Sequence, residues 1–201
     1  MRFTFSQLMR KLISPVYVSI TDLVGVNDLR QYDPSKKMAG DTFLVRQIVP
    51  GDLDKVRADL GVATANRFLD RLTSSKGYIA LDGDLIAGWL WITDKRRPKE
   101  GVHPFFYEIT PPKGSVYIFD GYTVSAARKR GVMKVLVRHL LFELKQAGID
   151  YAIFTYDHNN TAIERLLQTH GFSTVGTLTY RRYLWWVKQD TSGLENICVS
   201  N

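Results

Sequence analysis

The stretch that most constrains the fold runs from Val116 to Gly148, VYIFDGYTVSAARKRGVMKVLVRHLLFELKQAG. Val116 to Val124 is dense in β-branched and aromatic residues, which suits a pleated, half-buried strand. After the polar turn Arg128-Lys129-Arg130-Gly131, Met133, Leu136, Val137, Leu140, Leu141 and Leu144 recur at helical spacing. Lys134, Arg138 and Lys145 fall on the other side, and Gly148 stops the helix. A helix that starts from a basic, glycine-containing turn presents free backbone N–H groups and the positive end of its dipole. That combination suits an anion, most naturally phosphate.

Arg128-Lys129-Arg130-Gly131-Val132 after a strand resembles the Q/R-x-x-G-x-G/A signature of the GNAT superfamily of acyl-CoA N-acyltransferases. In that family the turn holds the pyrophosphate of coenzyme A. The third signature position, usually Gly or Ala, is Met133 here. Three further stretches are similar to the family's: RQIVPGDL (Arg46 to Leu53), Ala80 to Trp89 with its Asp82-Gly83 turn, and NTAIERLLQTHGF (Asn160 to Phe172).

The remaining pattern agrees with that resemblance. Strands are expected at Phe43 to Ile48, Gly77 to Leu81, Leu85 to Thr93 and Tyr151 to Tyr156, with two more at Phe172 to Thr179 and Tyr183 to Val187. Helices are expected from Leu53 past Val56 to Leu60, from Ala63 to Leu72, and from Ala162 to Thr169. Lys95 to Gly114 is a charged, Pro-containing connection. The resemblance implies an α/β (α+β) fold: a mixed, mostly antiparallel central sheet whose fourth and fifth strands splay apart, with helices on both faces. Residues 41–188 are read as this domain, 1–40 as an N-terminal extension and 189–201 as a C-terminal tail. Within the extension, Phe3, Phe5, Leu8, Leu12 and Ile13 pattern as a short amphipathic helix, Val16 to Ile20 as a short strand and Gln31 to Asp41 as a linker.

Composition narrows the partners. The 201 residues are 45% hydrophobic, as expected of a globular domain. A net charge of +7 favours anionic partners such as a phosphorylated cofactor, nucleic acid or an acidic membrane surface. No helix-turn-helix, zinc or RNA-sheet signature accompanies the charge, so specific nucleic-acid binding is not expected. The lone Cys198 cannot form an internal disulfide and fits a reducing, cytoplasmic setting. No apolar run is long enough to span a bilayer, whereas peripheral membrane contact stays open. Homodimer formation by pairing of an edge strand Tyr183 to Val187 is a further expectation.

The resemblance also implies a chemistry. An acyl group, acetyl or longer, passes from acetyl-CoA or another acyl-CoA to a primary amine of a small molecule within a ternary complex. Main-chain groups of Tyr122, Thr123, Val124 and Ser125 would receive pantetheine and the thioester oxygen. Arg128, Lys129, Arg130, Gly131, Val132 and Met133 would surround the pyrophosphate, and Asn160 would contact the coenzyme. The family's usual acid, a Tyr ahead of the Gly-Phe pair, is replaced by Leu167. Asp120, a carboxylate in an otherwise apolar and aromatic strand, is the candidate base; its alternative is a structural Asp bonded to a neighbouring strand or an Arg. Glu108, Asp157 and His158 follow as secondary candidates. His103, His139 and His170 show no metal-ligand spacing, so no catalytic metal is expected. Two other readings stay open: a non-catalytic GNAT-like module, and an acyltransferase fed long chains by a carrier protein.

Overall fold

The computed structural model describes residues 17–33, 42–95, 97–98, 108–183 and 186–192. An eight-stranded sheet organises them. In chain order its strands are β1 (Tyr17–Asp28), β2 (Leu44–Gln47), β3 (Lys76–Asp82), β4 (Leu85–Thr93), β7 (Ser115–Thr123), β8 (Tyr151–Asp157), β9 (Ser173–Tyr183) and β10 (Trp186–Ser192). The two-residue strands β5 (Arg97–Pro98) and β6 (Glu108–Ile109) pair separately. Across the sheet the order is β10-β9-β1-β8-β7-β4-β3-β2. Every neighbouring pair is antiparallel except β7 with β8.

Helices α1 (Leu53–Leu60) and α2 (Val62–Leu72) cover one face, and α3 (Val132–Gln146) and α4 (Thr161–Thr169) the other. The alternation of β7 sorts its side chains accordingly: Val116 and Ile118 join the α3–α4 core, Tyr117 and Phe119 the α1–α2 core. The apolar stripe of α3 lies flat on the sheet, with Leu136, Leu140 and Leu141 fully buried. Each contributes roughly 2 kcal/mol of transfer free energy. The step from β2 into α1 is fixed by Asp52, whose Oδ2 accepts from the Val49 N–H at 2.8 Å while Arg46 grips both carboxylate oxygens. The Arg46 guanidinium holds that carboxyl below the usual range.

Two boundaries need correction. Residues 17–28, read as part of an extension, form an interior strand: Asp22 pairs with Asp157 of β8 on one side and Leu178 of β9 on the other. The main fold therefore draws on both sides of residue 40. At the other end β10 runs through residue 188 to Ser192, so the boundary at 188 cuts a strand. The sheet edge on that side is β10 rather than Tyr183 to Val187, because Tyr183 closes β9, which pairs with β1 and β10. The expected amphipathic helix near the N-terminus and most of the Lys95 to Gly114 connection lie outside the described residues.

Candidate active site

The parallel pairing of β7 with β8 begins at Ser115 and Tyr151 and ends at Ile118 and Phe154. Beyond it β7 continues to Thr123 and β8 to Asp157 without a shared register, so the two strands open a wedge. This is the splay expected of the fourth and fifth strands.

At the mouth of the wedge β7 bulges against β4. Trp91 faces Phe119 and Trp89 faces Tyr122, which sets Asp120 and Gly121 together opposite Leu90. Asp120 takes a positive φ of 46°, a conformation that a residue with a Cβ rarely adopts. The extra residue breaks the alternation, and the Asp120 carboxylate turns to the α1–α2 face beside Phe119. There its Oδ2 accepts hydrogen bonds from Arg71 of α2 and, at 3.1 Å, from the Trp89 indole. The Arg71 guanidinium is 2% exposed and lies 5.7 Å from both the Trp91 and Phe119 rings. The structural alternative weighed for Asp120 is thus present; Oδ1 takes no hydrogen bond from a described residue. Sequence reasoning missed Arg71, although it sits three residues beyond Phe68 and so on the buried side of α2.

The basic turn gathers the other expected residues. Ser125–Ala127 is a 3-10 turn, and Lys129 and Gly131 take positive φ of 63° and 85°. The first bond of the α3 ladder runs from the Val135 N–H to the Gly131 carbonyl at 3.1 Å. The N–H groups of Val132, Met133 and Lys134 precede the ladder and point out of the helix end. Gly88 of β4 makes this approach feasible: a Cβ there would lie 2.6 Å from the Tyr122 carbonyl oxygen and 2.9 Å from Val132.

The arginines are already engaged. Arg130 pairs with Asp82 at 2.7 Å and lies over the Phe43 ring, whereas Arg128 lies over Tyr122 and donates to the Thr123 carbonyl at 3.4 Å. Along β7, Thr123 and Tyr122 pair with Gly88 and Trp89. Val124 differs from the expectation of unpaired main-chain groups, since its N–H donates to Ala87 and its carbonyl accepts from Ala127. Ser125 is exposed.

Met133 is half-buried, and its thioether reaches β7: a Cβ on Gly121 would lie 3.2 Å from the methionine Cε and 3.4 Å from its sulfur. Asn160 caps α4, its Oδ1 accepting from the Ile163 N–H at 3.2 Å. Leu167 is 1% exposed and packs in the α3–α4 core near Gly25 of β1. Glu108 pairs its backbone with Pro98; its side chain lies outside the described residues. Asp157 and His158 are both exposed, and His158 Nδ1 lies 3.4 Å from the Thr21 carbonyl. Trp89, Trp91, Tyr117 and Phe119 are core residues, while Tyr122, stacked on Trp89 at 4.7 Å between ring centres, is 41% exposed. Among the described residues no cluster of three His, Cys, Asp or Glu side chains could hold a metal ion.

A model of the Acetyltransferase (GNAT) family matches residues 48–172, more than half of the chain and all of the wedge and basic turn. The chain belongs to the GNAT family. Solved structures agree in fold. An acetyltransferase of the GNAT family from Novosphingobium aromaticivorans superposes with a TM-score of 0.54 at 13% identity, covering 87% of this chain and 66% of that one. A GCN5-related N-acetyltransferase from Sphaerobacter thermophilus gives 0.55 at 18% identity, covering 92% and 59%. A GCN5-related glucosamine N-acetyltransferase region of a fungal multi-domain β-N-acetylglucosaminidase gives 0.58 at 11% identity, covering 94% and 23%. The chain thus spans less than two thirds of the length of each of these three. No curated protein sequence matches it.

Within the GNAT frame the wedge and the α3 N-terminus are retained. Two side-chain positions depart from the family pattern: Met133 stands where Gly or Ala is usual, and Leu167 where the acid would be. No helix among the described residues is long and apolar enough to cross a membrane.

Proposed function

We propose that this chain transfers an acyl group from acetyl-CoA or another acyl-CoA to a primary amine of a small molecule, in the cytoplasm. The observation that carries the reading is the wedge between β7 and β8 opening beside a helix N-terminus whose first N–H groups remain uncommitted. Acyl-CoA supplies the acyl group as a thioester. The N–H groups from Lys129 to Met133 hold its pyrophosphate, supported by the charge of Arg128 and Arg130. Main-chain groups of Tyr122, Thr123 and Ser125 receive the pantetheine arm and the carbonyl oxygen. Asp120, fixed by Arg71 and Trp89, offers Oδ1 to a proton of the incoming amine, and Glu108 is the second candidate. Leu167 has no proton to give, so the departing thiolate takes its proton from solvent or another group.

A non-catalytic coenzyme-binding module is the second reading, favoured by Met133 in the wedge and Leu167 in the core. Thermal shift with coenzyme A and several acyl-CoAs tests both, using the wild type beside Arg128→Ala/Arg130→Ala. A ligand at a hundred times its dissociation constant stabilises the folded state by roughly 2.7 kcal/mol. A shift that the double variant loses supports the donor site, and amine-dependent release of free thiol then separates enzyme from module. No shift with any acyl-CoA overturns the reading.

A further inference from the structure

A side chain of α3 reaches the stretch of β7 that borders the wedge. Gly121 lies beyond the last β7–β8 pair, on the part of β7 that would carry the pantetheine arm. A Cβ placed on Gly121 would lie 3.2 Å from Met133 Cε, 3.4 Å from its sulfur and 4.0 Å from Cζ of Phe154 on β8. The thioether therefore reaches from the second residue of α3 to β7 at Gly121, on the side of the strand that faces α3 and that Phe154 of β8 also approaches. It packs there against the α3–α4 core, which gives it an apolar seat. Methionine is suited to a movable plug, since it is unbranched, has several rotatable bonds and tolerates more than one packing arrangement. Gly121 is the matching half of the contact, because any side chain there would compete for the same space.

We infer that Met133 is a gate on the donor groove: its side chain closes the wedge in the free protein and must leave Gly121 before a pantetheine arm can lie along β7. This deepens the acyl-CoA reading and rests on it. The apparent affinity for the coenzyme is then the intrinsic affinity reduced by the fraction of molecules in which Met133 has swung away. A residue at this position sets donor affinity without touching the reacting atoms.

The test compares coenzyme A binding by calorimetry in wild type, Met133→Ala and Met133→Leu, with the methyl resonance of Met133 followed in methyl-labelled wild-type protein. If the open state is about one molecule in ten, Met133→Ala binds about tenfold tighter. Met133→Leu, which refills the space with a stiffer side chain, gains nothing. The Met133 methyl resonance moves as coenzyme A saturates the wild type. Binding by Met133→Ala alone supports the gate as well. Equal affinities for wild type and Met133→Ala, or a methyl resonance unmoved at saturation, overturn the gate while leaving the donor site standing. Failure of all three proteins to bind overturns the donor site itself and the gate with it.

Discussion

Arg71 of α2 reaches the bulge of β7 and holds the Asp120 carboxylate, tying the second helix to the residue at which the wedge opens. The Trp89 indole takes the same oxygen, so Asp120 is oriented from two elements at once. This pairing lets an aspartate occupy a half-buried, positive-φ position in an apolar strand, because its charge is met by the buried guanidinium of Arg71.

Asp120→Asn is therefore expected to act twice. Withdrawing the charge opposite a buried guanidinium costs on the order of 3 kcal/mol of folding stability. Amine acylation should also fall while coenzyme affinity stays near wild type. Urea unfolding and steady-state kinetics across pH separate the effects; turnover equal to wild type at every pH would remove Asp120 as base and leave it as a structural bolt.

Gly88→Ala is expected to destabilise the chain by about 1–3 kcal/mol. The new methyl would meet the Tyr122 carbonyl and Val132, so the helix start must back away from β4. A thermal midpoint unchanged from wild type would show that α3 does not sit as close as described.

Asp82→Asn should strengthen coenzyme binding roughly two- to fivefold, the scale of an exposed ion pair worth under 1 kcal/mol. Arg130, now held by Asp82, would be released toward a phosphate. Because the pair is exposed, the gain should shrink as salt is raised. Weaker binding would mean that Asp82 positions Arg130 rather than competes for it.

His170 gives a pH dependence of stability. Burial, with the nearby charges of Lys134 and Arg138, holds its pKa below the usual histidine value of 6.5. Below that value the unfolded chain takes up a proton that the folded state resists, so stability drops as pH falls through about 6.5, by at most about 1.4 kcal/mol per pH unit. The carboxyls of Asp28 and Asp52, both lowered by their arginine partners, titrate well below this window. His170→Gln should flatten the slope in denaturant titrations; an undiminished slope would assign it to another group.

What could be read before the fold was known follows the range of each signal. The strand, basic turn and helix from Val116 to Gly148 were legible because periodicity and turn chemistry are local. The placement of β1 was not, since an alternating YVSITDLVGVND reads alike at an edge or in the interior. Its partners β8 and β9 decide the matter from the far end of the chain. Arg71 was hidden for a related reason: its place on the buried side of α2 was visible, but Asp120 lies 49 residues away. Met133 was visible as a departure, whereas its contact with Gly121 required the helix and strand to be set side by side.

The strand Tyr17–Asp28 has a consequence for how the molecule assembles. It leaves the ribosome before every other strand described, yet Asp22 meets Asp157 and Tyr17 meets Tyr183. Until those residues are made, β1 has neither of its neighbours. Such non-local pairing makes for slow folding and leaves an apolar strand waiting unpaired. The two halves of the chain thus close on one another last, and the wedge takes its final form only when the sheet does.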